Sequence, residues 1–93
     1  MTTNTEDPVQ RAREEAAAMA ADMRQESVRL SFSVLRIAMA TGATRQTVYN
    51  WFSNGQVAPF YRARVAALLD ILKKADTAEQ AWRKACSHFN LNP

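Results

Sequence analysis

The chain contains two glycines, Gly42 and Gly55, and they stand at the two ends of a short helix-forming run in its middle. Residues 34–53 read VLRIAMATGATRQTVYNWFS, and their spacing is what constrains the fold. Ala38 is small, as the close crossing of two helices requires. Gly42 follows four residues later, where the chain must turn with a positive φ. Val48 comes six residues after Gly42 and Trp51 three further on, both on the inner face of the next helix. A small residue, a glycine, then a β-branched and a bulky apolar anchor is what sets two short helices at a steep angle, the helix-turn-helix arrangement. Two helices of a repeat would explain the periodicity but not this register, and no internal repeat is present.

The rest of the chain also favours helix. Alanine occurs 17 times, while valine and isoleucine together occur eight times, a balance that starves a sheet of its usual residues. Asp7 before Pro8 marks a helix start, with Pro at the first helical position. Val9, Ala12, Ala16, Met19, Met23 and Leu30 then form one apolar stripe of a long first helix ending near Leu30. Ser33 caps a second helix over 34–41, closed by Gly42. Thr44 caps a third over 45–53, stopped by Asn54 and Gly55. Pro59 opens a fourth, with Tyr61, Val65, Leu68, Leu69 and Leu72 as its stripe. Thr77 with Gln80 predicts a capping box for a fifth, which buries Ala78, Ala81, Trp82, Ala85 and Phe89. The expectation is a single all-α domain of five helices over 8–93, preceded by a disordered tail over 1–7 whose last residue caps the first helix.

Several function classes are excluded by composition. Ninety-three residues suffice for one domain, and no separate effector domain is expected within them. The longest uncharged stretch, 46–61, is rich in Asn, Ser, Gln and Gly and holds Pro59, so no membrane-spanning helix is expected. The opening MTTNTED is acidic and polar, unlike a secretory signal. Cys86 is the single cysteine and cannot form an internal disulfide, which fits a reducing cytoplasm, bacterial or that of a phage host. Cys86 and His88 offer two ligands where zinc wants four, and their spacing points them in different directions on a helix. With no glycine-rich phosphate loop either, neither an enzyme nor a bound cofactor or metal is expected. The charge is divided: residues 1–28 carry three basic against six acidic side chains, and residues 29–93 carry nine against three. A basic body suits a polyanion, with the acidic part facing away from it, although a solvated surface would show the same modest excess.

IAMATGATRQTVYNW, followed by Asn54-Gly55 and then Pro59, resembles the lambda-repressor-like DNA-binding domains of phage Cro and repressor proteins. The order of five helices is similar, and FYRARVAALLDIL resembles their fourth helix; the likeness covers residues 19–75. Three features depart from the pattern. Val34 stands where the family often carries a phosphate-gripping Gln. Leu35 and Met39 are apolar where solvent-facing polar residues are usual, and Gly55 comes one residue late after Trp51. The run TGATRQTVYNWFSN is also similar to the recognition helix of homeodomains, in which Asn54 would read adenine, but Asn54-Gly55-Gln56 breaks the helix and no basic tail follows.

The resemblance implies that residues 45–53 lie in the major groove of duplex DNA. With Val48, Trp51 and Phe52 inward, Arg45, Gln46, Tyr49, Asn50 and Ser53 face outward. Arg45 can fork two hydrogen bonds to guanine; Gln46 and Asn50 can each pair with adenine, and Tyr49 can meet a thymine methyl or a phosphate. Thr44 at the helix N-terminus suits a phosphate, and Arg36, Ser53, Asn54, Arg62 and Arg64 complete the candidate backbone contacts. The alternative is an ordinary polar helix face. One such helix reads few base pairs, so a homodimer on a palindromic operator is expected, with Trp82 and Phe89 of the fifth helix as the interface and the N-terminal extension as a clasp. The expected function is a small dimeric transcriptional repressor. The rival is an antitoxin-like protein that binds a second regulatory protein and DNA only secondarily.

Overall fold

A computed structural model describes residues 7–92. Five helices follow in order: α1 (Pro8–Leu30), α2 (Val34–Thr41), α3 (Arg45–Asn54), α4 (Pro59–Lys74) and α5 (Ala78–Phe89), with no strand among the described residues. Of the tail expected over 1–7, residues 1–6 lie outside the described residues, and Asp7 caps α1. No described helix is long and apolar enough to cross a membrane.

The helix starts follow from side chains that accept orphan backbone donors. Asp7 Oδ1 accepts from Val9 N at 3.0 Å, Ser33 Oγ from Arg36 N at 3.1 Å, and Thr77 Oγ1 from Gln80 N at 3.1 Å. The expected capping box is only half formed. Gln80 Oε1 accepts from Asp76 N at 2.6 Å rather than from the cap residue itself, so the reciprocal bond falls one residue earlier. The cap position of α4 is Ala58, which has no side chain to accept a bond, but Pro59, the first helical residue, brings no N–H to satisfy. Three stops lack glycine: Ser31 and Asn90 both take φ of 58°, in the left-handed region, and Ala75 ends α4 in extended backbone.

α1 and α4 run alongside each other in the same direction. Arg13 and Ala16 lie beside Ala58 and Arg62, Asp22 pairs with Lys73 at 3.6 Å, and Arg29 donates to the carbonyls of Leu72 (2.8 Å) and Ala75 (3.2 Å). Arg29 thereby closes the C-terminus of α4 from a neighbouring helix. The core between the helices is built from Met23, Ile37, Val48, Val57, Val65, Leu68 and Leu72, all fully buried. Each such side chain contributes about 1.5–3 kcal/mol by leaving water. Ser27, buried in the same layer, donates to Met23 O at 2.8 Å, so no buried side-chain donor is left unmet there.

The first turns of α1 differ from expectation. Val9 is 59% exposed and Ala12 only half-buried, whereas Ala16, Ala20 and Met23 are buried. α1 spans about 34 Å at 1.5 Å per residue, longer than the α3–α4 body beneath it, and its first turns run past the end of that body. The molecule is correspondingly long, 52 × 23 × 22 Å.

Candidate nucleic-acid interface

The unit formed by α2 and α3 is fixed at both glycines. Gly42 takes φ 78° and Gly55 φ 71°. At the first turn, the amides of Gly42 and Ala43 both donate to Ala38 O, at 2.9 and 3.0 Å, which closes α2 and turns the chain at once into α3. A Cβ at Gly42 would stand 3.5 Å from the Arg64 guanidinium, so α4 lays a cation across this turn. A Cβ at Gly55 would stand 3.2 Å from Ala17 Cβ and 3.3 Å from Ala17 Cα. The end of α3 is therefore pressed directly against α1.

Val48 (0% exposed) and Trp51 (2%) anchor α3 in the core. The Trp51 ring meets Tyr61 edge-on at 5.4 Å, and Tyr61 in turn meets Phe60 at 5.0 Å. This aromatic series leads outward from the core to Phe60, which is 82% exposed. With Val48 and Trp51 inward, helical geometry leaves Arg45, Gln46, Tyr49, Asn50 and Ser53 on the opposite face, and all five are exposed. That face carries no acidic side chain. Phe52, expected inward, is half-buried against Ala21 and Val28 of α1.

Within this face the polar groups are partly engaged with one another. Gln46 Nε2 donates to Asn50 Oδ1 at 3.0 Å, and Ser53 Oγ donates back to Asn50 O at 3.2 Å. Thr44 Oγ1 accepts from Thr47 N at 3.1 Å while its hydroxyl donates to Thr47 Oγ1 at 3.0 Å. The cap thus uses its proton as well as an acceptor site, and Thr47, a position with no marking in the sequence pattern, holds the hydroxyl proton that remains available.

The basic residues divide into two groups. Arg36 is committed elsewhere: it pairs with Glu79 at 3.0 Å and lies over the Trp82 ring at 5.0 Å, tying α2 to α5. Arg62 is half-buried and donates through Nε to Val57 O at 2.8 Å, holding the α3–α4 loop. Asn54 Oδ1 accepts from Gln56 N at 2.8 Å and shapes the same loop. Arg45 and Arg64 are exposed and make no ion pair among the described residues. These two stand at the N-terminal end of α3 and over the turn before it, while Arg13 and Arg24 of α1, also exposed, flank its C-terminal half beside Asn54 and Phe52.

The side chains expected at a dimer interface sit largely inside the single chain. Trp82 is 7% exposed and packs against Phe32, with ring centroids 6.2 Å apart, beneath Arg36. Phe89 is half-buried in the groove between α4 and α5. The large apolar side chains left exposed are others: Val9, Val28, Leu35, Met39, Tyr49 and Phe60. Leu35 and Met39 lie one turn apart on the outer face of α2, and none of the described residues covers them. The first turn of α1 cannot: it begins about 34 Å along the helix from the end that leads into α2. Comparison with protein-family models, with curated proteins and with solved structures returned no match.

Proposed function

We infer that the chain is a sequence-specific duplex DNA-binding regulator of the lambda-repressor-like helix-turn-helix type, with α3 lying in the major groove. One observation carries this reading. α3 is fixed to the core by Val48 and Trp51 and turns outward a face of Arg45, Gln46, Tyr49, Asn50 and Ser53 with no acidic member. Arg pairs with guanine and Asn or Gln with adenine in the major groove, so the face carries a base-reading chemistry that solubility does not require. Arg45 reads a base, Arg64 over the α2–α3 turn supplies charge for phosphates, and Arg36 and Arg62 serve the fold instead. A homeodomain-like reading fits less well, because α3 stops at Asn54 with Gly55 in a left-handed turn.

A helix of this length reads few base pairs, so the regulator acts as a homodimer on two half-sites about 34 Å apart. It represses by occupying its operator. Phe60, rather than Trp82, is the most exposed of the large apolar side chains that a second copy can bury. The uncovered Leu35 and Met39 favour, as a second reading, a surface for another protein such as the antitoxin-like role requires.

Selection of bound sites from random duplex DNA tests this function. The expected result is a two-fold symmetric motif, with affinity falling roughly 10³- to 10⁵-fold between 50 and 200 mM salt if six to ten phosphates are neutralised. In the Arg45→Ala variant one base position loses its preference, at a cost of about 1–3 kcal/mol. Equal affinity for random and selected duplexes would overturn the reading.

A further inference from the structure

Gln46 and Asn50 stand one helical turn apart at the centre of the exposed α3 face, joined by the 3.0 Å bond from Gln46 Nε2 to Asn50 Oδ1. Among the described residues, neither side chain bonds to anything else. Taken singly, either carboxamide can read an adenine, because each offers one acceptor and one donor side by side. Joined, they are no longer equivalent.

The carbonyl oxygen of Asn50 has two acceptor sites. Gln46 occupies one of them, leaving the second for an adenine N6 amino group, while both Nδ2 protons of Asn50 remain free for adenine N7. As long as Gln46 is the donor, the oxygen end of the Asn50 amide stays turned toward it; turning both amides over would keep the bond with the roles exchanged, and Gln46→Glu, which can accept but not donate, separates the two arrangements. Guanine presents two acceptors, N7 and O6, and an amide held in this orientation meets one of them with its oxygen. Fixing the rotamer before contact further removes ordering entropy that a free side chain would lose on binding.

Resting on the DNA-binding reading above, we propose that Asn50 reads one A·T pair and that Gln46 is a positioning residue serving the same pair, not a reader of its own. The two side chains therefore determine a single base position. Both are exposed, so their replacement leaves the core intact.

The test measures base preference at every position of the wild-type site for Asn50→Ala, Gln46→Ala, Gln46→Glu and the double alanine variant. Asn50→Ala is expected to lower discrimination at one A·T pair by roughly 5- to 150-fold. Gln46→Ala lowers it at the same pair by at least about fivefold, and the double variant loses no more there than Asn50→Ala alone. Gln46→Glu, similar in size but unable to donate, also loses preference at that pair, beyond any uniform loss of affinity from its charge. Relaxation of a different base pair by Gln46→Ala, with losses that multiply in the double variant, overturns the proposal and restores two independent readers. A wild-type protein with no sequence preference overturns the DNA-binding reading itself, and shows this before any variant is made.

Discussion

Replacing Gly55 by alanine costs stability through two separable terms. The first is backbone: an L-residue at φ 71° loses about 1–2 kcal/mol relative to its preferred regions. The second is contact: the new methyl would meet Ala17 Cβ at 3.2 Å and, less yieldingly, Ala17 Cα at 3.3 Å. A shift of α1 by a few tenths of an ångström adds about 1 kcal/mol, the low end of overpacking costs. Against these, alanine restricts the unfolded chain and returns about 0.4–1 kcal/mol. The net expectation is a loss of about 1–2.5 kcal/mol, or a fall in Tm on the order of 10 °C for a domain of this size. Gly42→Ala is the internal control. Its backbone term is the same, with φ 78°, but the nearest atom is the end of the flexible Arg64 side chain at 3.5 Å. That variant should lose only about 0–1.5 kcal/mol. Urea unfolding with unchanged m-values measures both. If Gly55→Ala is no less stable than Gly42→Ala, the close approach of α1 to the end of α3 does not govern stability, and the reasoning fails.

Three further outcomes follow from the same contacts. Arg64→Ala should weaken binding to all duplexes alike and lower the salt slope by about 1, whereas Arg36→Ala should leave the slope unchanged and reduce stability through the lost contacts to Glu79 and Trp82; equal slopes for both variants would contradict the division between free and committed arginines. Trp51→Ala should destabilise by about 3–5 kcal/mol in a denaturant titration, because the ring is 2% exposed and carries Tyr61. Phe60→Asp should shift the sedimentation coefficient from dimer to monomer at micromolar concentration while leaving thermal unfolding of the monomer nearly unchanged; a persisting dimer would remove Phe60 from the interface.

The helix boundaries were legible because they are written in local chemistry. Asp7, Ser33, Thr44 and Thr77 act as caps wherever a polar side chain precedes a helical stripe, and both glycines occupy the left-handed turns that their positions demand. Ser31 and Asn90 end helices without a glycine, so those stops carried no comparable signal. The outward face of α3 was readable for the same reason as the caps: Val48 and Trp51 fix its phase by simple periodicity. The commitments of its neighbours were not. Arg36 meets Glu79 across 43 residues of sequence, and Arg62 turns back onto a loop carbonyl, contacts that no local pattern announces. Periodicity likewise placed Val9 on the stripe of α1, but a stripe does not say how long the opposing surface is. The cover over Trp82 has no local signature either, because its partners, Phe32 and Arg36, lie far away in the chain.

The most direct measurement is a map of backbone amide NMR shifts as a selected duplex is added to the full chain. The largest changes should fall on residues 42–53 and on Arg64, with the first half of α1 unaffected. Changes concentrated instead on α5 or on the first turns of α1, with α3 unmoved, would contradict the placement of α3 in the major groove.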